Sequence, residues 1–226
     1  MSVSIDAECF PDKSTEVLLA TPTNTKLLIA TGNSGKVREL TEVLSDLQLQ
    51  LVTLTDQGIG YTVEETGDTL EENALLKARD YGKFTGLPAL ADDSGLEVDA
   101  LGGEPGVHAK TYAGENATDE ERVRFLLSRL DGIGWEQRSA RFRCVIALVL
   151  PSGLEELCEG VVEGIIAFEP RGKSGFGYDP IFYLPEFEKT MAELDPNIKN
   201  RVSHRGKAVR QAMLLLQRLM KQEKLL

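Results

Sequence analysis

The stretch "LLIATGNSGKVREL", residues 27–40, decides the fold class. Its first part, Leu27 to Ala30, is an unbroken apolar run that reads as a buried strand. Beyond the turn the period changes. Val37, Leu40, Leu44 and Leu47 recur at the spacing of one helical face. A buried strand that turns straight into a covering helix is the building unit of an α/β protein. The intervening turn lies at a helix N-terminus, where free N–H groups and the helix dipole favour an anion. Lys36 adds a point charge, and Asn33 or Ser34 serves as N-cap. The turn is not a Walker A loop. Only two residues separate Gly32 from Gly35, and Val37 stands where Ser or Thr would hold Mg²⁺.

Strand and helix signals alternate outward from this unit. "LQLVTLT" (49–55) reads as a second strand, and Thr69-x-x-Glu72 as a capping box opening a helix with Leu70, Ala74, Ala78 and Tyr81 on one face. "PALADD" (88–93) reads as a short strand running into two acids, and "GLEVDALGGEPG" (95–106) as loop or hairpin. Thr118-x-x-Glu121 opens another helix, with Val123, Leu126, Leu127 and Leu130. "SARFRCVIALVL" (139–150) alternates, and Pro151-Ser152-Gly153 turns it into an antiparallel partner. "GKSGFGYDPIFYLP" (172–185) reads as loop and short strand, and a last helix from about Gly206 turns Val209, Ala212, Leu216 and Leu219 inward. Residues 1–25 are polar and read as an extension ahead of a single domain spanning 26–226.

Composition narrows the function classes. The 226 residues carry a net charge of −11, which argues against general affinity for nucleic acid or an anionic membrane. An anionic substrate must then meet a local cationic pocket or a metal. Cys9, Cys144 and Cys158 lack metal-ligand spacing and read as reduced thiols of a cytoplasmic protein. No basic n-region or membrane-length apolar run is present.

Chemistry-bearing residues fall in groups. Glu64 and Glu65 form one acidic pair, and Asp92 and Asp93 another at an expected strand end. Carboxylates from two segments suit Mg²⁺, and one left over suits a general base. "NIKNRVSHRG" gathers Lys199, Arg201, His204 and Arg205, the densest basic patch of the chain. "SGFGYDPIF" sets Phe176 and Tyr178 around Gly177, a surface on which a base could stack. Each group also has a plainer reading, as turn, solvated face or core.

Taken in order, "TGNSGKVREL", "ADDSGLEVDALGGEPGV", "GFGYDPIF" and "SHRGKA" resemble the inosine/xanthosine triphosphate pyrophosphatase family, which removes aberrant purine nucleotides. The resemblance runs from Lys26 to the C-terminal helix. It implies an elongated mixed α/β fold of two lobes, with a central mixed β-sheet flanked by helices, an active-site cleft between lobes, and usually a homodimer. It implies Mg²⁺-dependent cleavage of ITP, dITP and XTP to monophosphate and pyrophosphate. Thr31, Gly32, Asn33, Ser34, Gly35 and Lys36 would hold the triphosphate. Asp93 would serve as general base and Mg²⁺ partner, with Glu64 as the metal-binding glutamate and Glu65 its rival. Ser94 would touch substrate. Phe176, Gly177, Tyr178 and Asp179 would wall the base and sugar, with Lys199, His204 and Arg205 completing the pocket. The chain departs from the pattern at "GVHAKTY", where the family often reads Gly-Val-Tyr-Ser-Ala-Arg-Tyr, and at Ile198, where an acid is common. The competing readings are a pyrophosphatase for modified pyrimidine nucleotides and a nucleotide-binding sensor without turnover.

Overall fold

The computed structural model describes residues 25–222 together with 224 and 225. The expected extension and Cys9 lie outside these residues, apart from Thr25. The sheet follows the order β2-β1-β3-β5-β6-β7-β8, with β4 paired to β3. Strand β1 (Lys26–Ile29) pairs in parallel with β2 (Gln50–Thr53) and with β3 (Ala89–Val98). The remaining pairings are antiparallel and include β4 (Pro105–Gly106), β5 (Ser139–Val149), β6 (Glu155–Ile166), β7 (Phe182–Leu184) and β8 (Lys189–Thr190). Five α-helices flank the sheet: α1 (Ser34–Leu44), α2 (Leu70–Thr85), α3 (Asp119–Arg129), α4 (Pro196–Val202) and α5 (His204–Lys221).

The long strands explain the two core regions. At one end, alternate residues of β1, β3 and β5 face opposite ways. Leu27, Ile29, Leu90 and Ile146 pack with α1 and α5, while Leu28, Ala30, Ala91 and Val145 pack with α2. At the other end, β3, β5 and β6 turn Leu96, Phe142 and Val162 into a separate core with Val123 and Leu126 of α3 and with Phe182. Strands β3, β5 and β6, the last through Cys158, thus contribute to both lobes. Their midpoints lie where the lobes meet.

One sequence expectation changes here. Strand β3 does not end at the acids: it continues through Gly95 to Val98, so Asp92 and Asp93 lie mid-strand. The rest of the glycine-rich run folds back as a hairpin, pairing Leu96 with Gly106 and Glu97 with Pro105. Gly95 is responsible. A Cβ there would stand 2.6 Å from the Gly106 carbonyl oxygen, so this glycine admits a close backbone rather than marking a loop.

Caps set the helix ends. Thr118 and Glu121 form the full reciprocal box. Thr69 accepts from Glu72 N, but the Glu72 carboxylate accepts from Asp68 N rather than from the cap itself. Helix α5 begins at His204, ahead of Gly206, with Ser203 as N-cap. Lys199 and Arg201 accordingly belong to the short helix α4.

Helix α5 lies against β6 at Gly160. A methyl group there would collide with the His204 carbonyl and the Ala208 amide, both backbone groups. Gly160→Ala should therefore lower stability by about 1–3 kcal/mol through overpacking. A urea melt checks this: an unchanged midpoint would mean that α5 shifts freely on the sheet.

Candidate active site

A cavity of about 450 Å³ opens where the lobes meet. The N-terminal turn contributes Thr31, Gly32, Asn33 and Lys36, strand β3 Asp93 and Ser94, the aromatic loop Phe176 to Asp179, and α5 His204 and Arg205. Ser34 lines a neighbouring groove instead. Gly35 stands behind the turn, where a Cβ would lie 2.9 Å from the Phe176 ring. Asn33 is the N-cap of α1, its side chain accepting from Lys36 N at 3.1 Å. The first amides of α1 are thereby ordered at the cavity edge.

Behind the cavity wall runs a chain of alternating charges. Lys36 Nζ lies 3.0 Å from Asp92 Oδ2, and Arg205 Nε donates to the same oxygen at 3.2 Å. Arg205 Nη1 donates to Glu39 at 2.6 Å, and Lys199 Nζ bridges Glu39 at 2.9 Å and Asp179 at 2.7 Å. Three acids face three bases, and all but Lys36 are buried. Burial alone would raise the Asp92 and Glu39 carboxyls. For Asp92 the cations Lys36 and Arg205 outweigh it, for Glu39 Arg205 and Lys199 do, and both acids are held below their ordinary range. Asp179 goes the other way: burial raises it, and Lys199 offsets this only in part. Breaking such a pair leaves a buried charge uncompensated, typically a loss of about 3–5 kcal/mol.

Asp93 belongs to a second cluster. Lys77 of α2 donates to Asp93 Oδ1 at 2.9 Å and to Glu65 Oε1 at 2.5 Å. Burial raises the Asp93 carboxyl, with Lys77 and Lys36 pulling against it, and the net shift is upward. Glu65 lines the cavity, while Glu64 does not. Lys77 takes one oxygen of each carboxylate, and each has a second. This all-oxygen donor pair suits a hard cation such as Mg²⁺, which keeps several waters. Among the described residues no group of three or more His, Cys, Asp or Glu forms a closed metal cage.

His204 and Arg205 occupy the first turn of α5, where positive charge opposes the helix dipole. Arg205 is compensated by Asp92 and Glu39. His204 avoids the conflict by staying neutral, since burial, then Arg205 and Lys199, push its pKa well down. Its ring stacks on Phe142 at 4.6 Å, and its buried Nδ1 has no protein partner. Every Arg205 nitrogen is engaged, with Nη2 donating to Ser94 Oγ at 3.2 Å. Arg205 is thus committed to the wall, and His204 lines this end of the cavity beside it. Tyr178 is buried, its hydroxyl donating to the Ala109 carbonyl at 2.9 Å, so it braces the wall. The Phe176 ring lies 5.0 Å from Lys199 Nζ and 5.2 Å from the Arg205 guanidinium carbon. Arg201, grouped with these cations in the sequence, is exposed and outside the cavity lining.

The sequence reading missed Lys77, Glu39, Asp119 and Arg122. A signal existed for Lys77, which follows Ala74 by three positions on the apolar stripe of α2 and is buried. Glu39 adjoins Leu40 at the edge of the α1 stripe and carried no such mark.

Comparison with known proteins identifies the family. The chain is 56% identical over 185 residues to a dITP/XTP pyrophosphatase of Thermus thermophilus, covering 82% of this chain and 88% of that one. It is 51% identical over 195 residues to a dITP/XTP pyrophosphatase of Desulforamulus reducens, covering 86% and 96%. A solved HAM1 protein from Coxiella burnetii superposes with a TM-score of 0.79 at 49% identity, covering 86% of this chain and 99% of that one. The family model described as the Ham1 family matches residues 27–214, and with the fold and these relatives in agreement, the chain belongs to the Ham1 family.

Proposed function

We propose that this protein hydrolyses aberrant purine nucleoside triphosphates, ITP, dITP and XTP, to the monophosphate and pyrophosphate. The observation that carries the reading is one cavity holding three things: an N-capped anion turn with Lys36, the Asp93–Lys77–Glu65 cluster, and an aromatic wall, Phe176 to Tyr178, with His204 lining the same cavity. A sensor without turnover would need the turn and the wall but no acid cluster such as Asp93 and Glu65. The relatives' names, dITP/XTP pyrophosphatase, support the same reading.

The chemistry follows from the geometry. Cleavage between the α- and β-phosphates needs a water in line with the leaving pyrophosphate and charge compensation for that group. Asp93 takes the proton from the water. Burial suits it to the task, because a carboxylate lifted toward the working pH is a stronger base. Lys77 keeps it oriented. An ammonium carries three protons and Asp92 takes one from Lys36, so this lysine and the turn amides can also meet phosphate oxygens. Glu65 and Asp93 would hold Mg²⁺, which when bound compensates the negative charge of the phosphates. We assign the metal role to Glu65 rather than Glu64, because Glu65 is the one at the cavity.

Two outcomes are expected. Asp93→Asn, nearly isosteric, should lose at least about 10²-fold in kcat with the urea midpoint little changed. Pyrophosphate release under single-turnover conditions measures it, and near-normal turnover would move the base role elsewhere. The second concerns the base. Inosine and xanthosine present an oxygen at C6, which can accept from backbone N–H groups near His204. Guanine adds an amine at C2, and a site without an acceptor there would leave it buried and unpaired, costing about 1–3 kcal/mol, or about 5- to 150-fold in kcat/KM. A panel of ITP, XTP, GTP and ATP decides. GTP within about twofold of ITP, below the low end of that range, would make the enzyme a general purine pyrophosphatase.

A further inference from the structure

The aromatic loop is held by carboxylates on two sides. The Phe176 amide donates to Asp179 Oδ2 at 3.0 Å, and Asp179 is fixed by Lys199 in the charge chain of the first lobe. The next amide, Gly177, donates to Asp119 Oδ2 at 2.7 Å. Asp119 is the first residue of α3, in the other lobe, directly after the Thr118–Glu121 box that fixes this helix end. Its other oxygen is paired with Arg122. Arg122 in turn donates to the Lys110 carbonyl at 3.1 Å and the Ala117 carbonyl at 2.5 Å. The circuit closes through the Tyr178 hydroxyl on the Ala109 carbonyl. One helix end therefore holds both the base wall and the 107–110 turn in contact with it, and Asp119 and Arg122 themselves line the cavity.

We propose that Asp119, supported by Arg122, is a positioning residue for purine recognition. Its carboxylate fixes the Gly177 amide and so the setting of the Phe176–Asp179 wall against His204. The inference rests on the proposed purine nucleotide substrate and deepens it. An amide bonded to a carboxylate is held more strongly than one bonded to a neutral acceptor. Gly177 has φ +61°, a left-handed conformation that glycine adopts without strain, so the amide bond to Asp119 is what fixes its orientation. A wall free to move still admits a purine, but loses the fixed spacing that leaves the guanine amine unpaired.

The test pairs binding with turnover in the full chain. Asp119→Ala should weaken IMP binding, read by calorimetry, and raise KM for ITP, each about three- to tenfold, the loss expected for one typical hydrogen bond. It should leave kcat within about twofold and narrow the IMP-to-GMP affinity ratio. Amide exchange at Gly177 should quicken. Asp119→Asn keeps an oxygen that can accept from Gly177 and should restore most of the IMP affinity. The proposal is overturned if Asp119→Ala keeps the wild-type IMP affinity and IMP-to-GMP ratio. It is equally overturned if Asp119→Asn is no better than alanine at an equal urea midpoint. Absence of pyrophosphate release from ITP by the wild-type enzyme would instead defeat the proposed hydrolysis, leaving the IMP result to decide this inference.

Discussion

The carboxylate of Asp92 is wholly buried, and the architecture of the site depends on its being neutralised. It has no water to turn to, so it must find cations. Lys36 reaches it from the phosphate turn and Arg205 from the first turn of α5. Those contacts draw the beginning and the end of the described chain onto the middle of β3. Arg205 then needs a further counter-charge, which Glu39 of α1 supplies, and Glu39 brings in Lys199 and through it Asp179 and the aromatic loop. Each buried charge calls for the next. Cys144 lies beside Asp92 in the same dry environment, its thiol pushed up to about 12 by burial and the neighbouring carboxylate. It behaves as a small apolar core residue.

Neighbouring acids on β3 acquire opposite chemistry from this arrangement. Asp92 and Asp93 are adjacent, so their side chains project to opposite faces of the strand. One meets Lys36 and Arg205 on the α1–α5 side and is held ionised. The other meets Lys77 on the α2 side, at the cavity, where burial outweighs its cations and lifts its pKa. A structural anchor and a candidate base thus follow from strand alternation and from which helix carries which cation.

Glycine allows the close approaches on which the site depends. Gly95 admits the Gly106 carbonyl, Gly160 admits the start of α5, and Gly35 admits the Phe176 ring. At these positions the missing Cβ brings a second element against the first. The long strands β3, β5 and β6 then carry the alignment from one lobe to the other, and the hydrogen bond from Gly177 to Asp119 fixes the aromatic loop, whose Tyr178 is buried in the second core, on the end of α3.

Much of the fold was legible in the sequence because it is encoded locally. The strand-to-helix unit at 27–40, the helix stripes, the Thr118 box and the 139–166 hairpin each depend on residues a few positions apart, where period and capping chemistry act. The four motifs also pointed to the family, and most of the residues they nominated meet in one cavity. Local signals misread the acids as a strand end, because Gly95 looks the same in sequence whether it opens a turn or accepts a distant backbone. They favoured Glu64 over its rival Glu65, whereas Glu65 is the one that reaches Lys77 and the cavity. They could not see that Arg205 would commit its nitrogens to Asp92, Glu39 and Ser94, more than a hundred positions away in the chain. What the sequence determined by itself was the local elements and the residue types available for chemistry. Only the tertiary structure decided which charges were buried together, because the partner that neutralises a buried charge is set by packing across the whole sheet rather than by spacing along the chain.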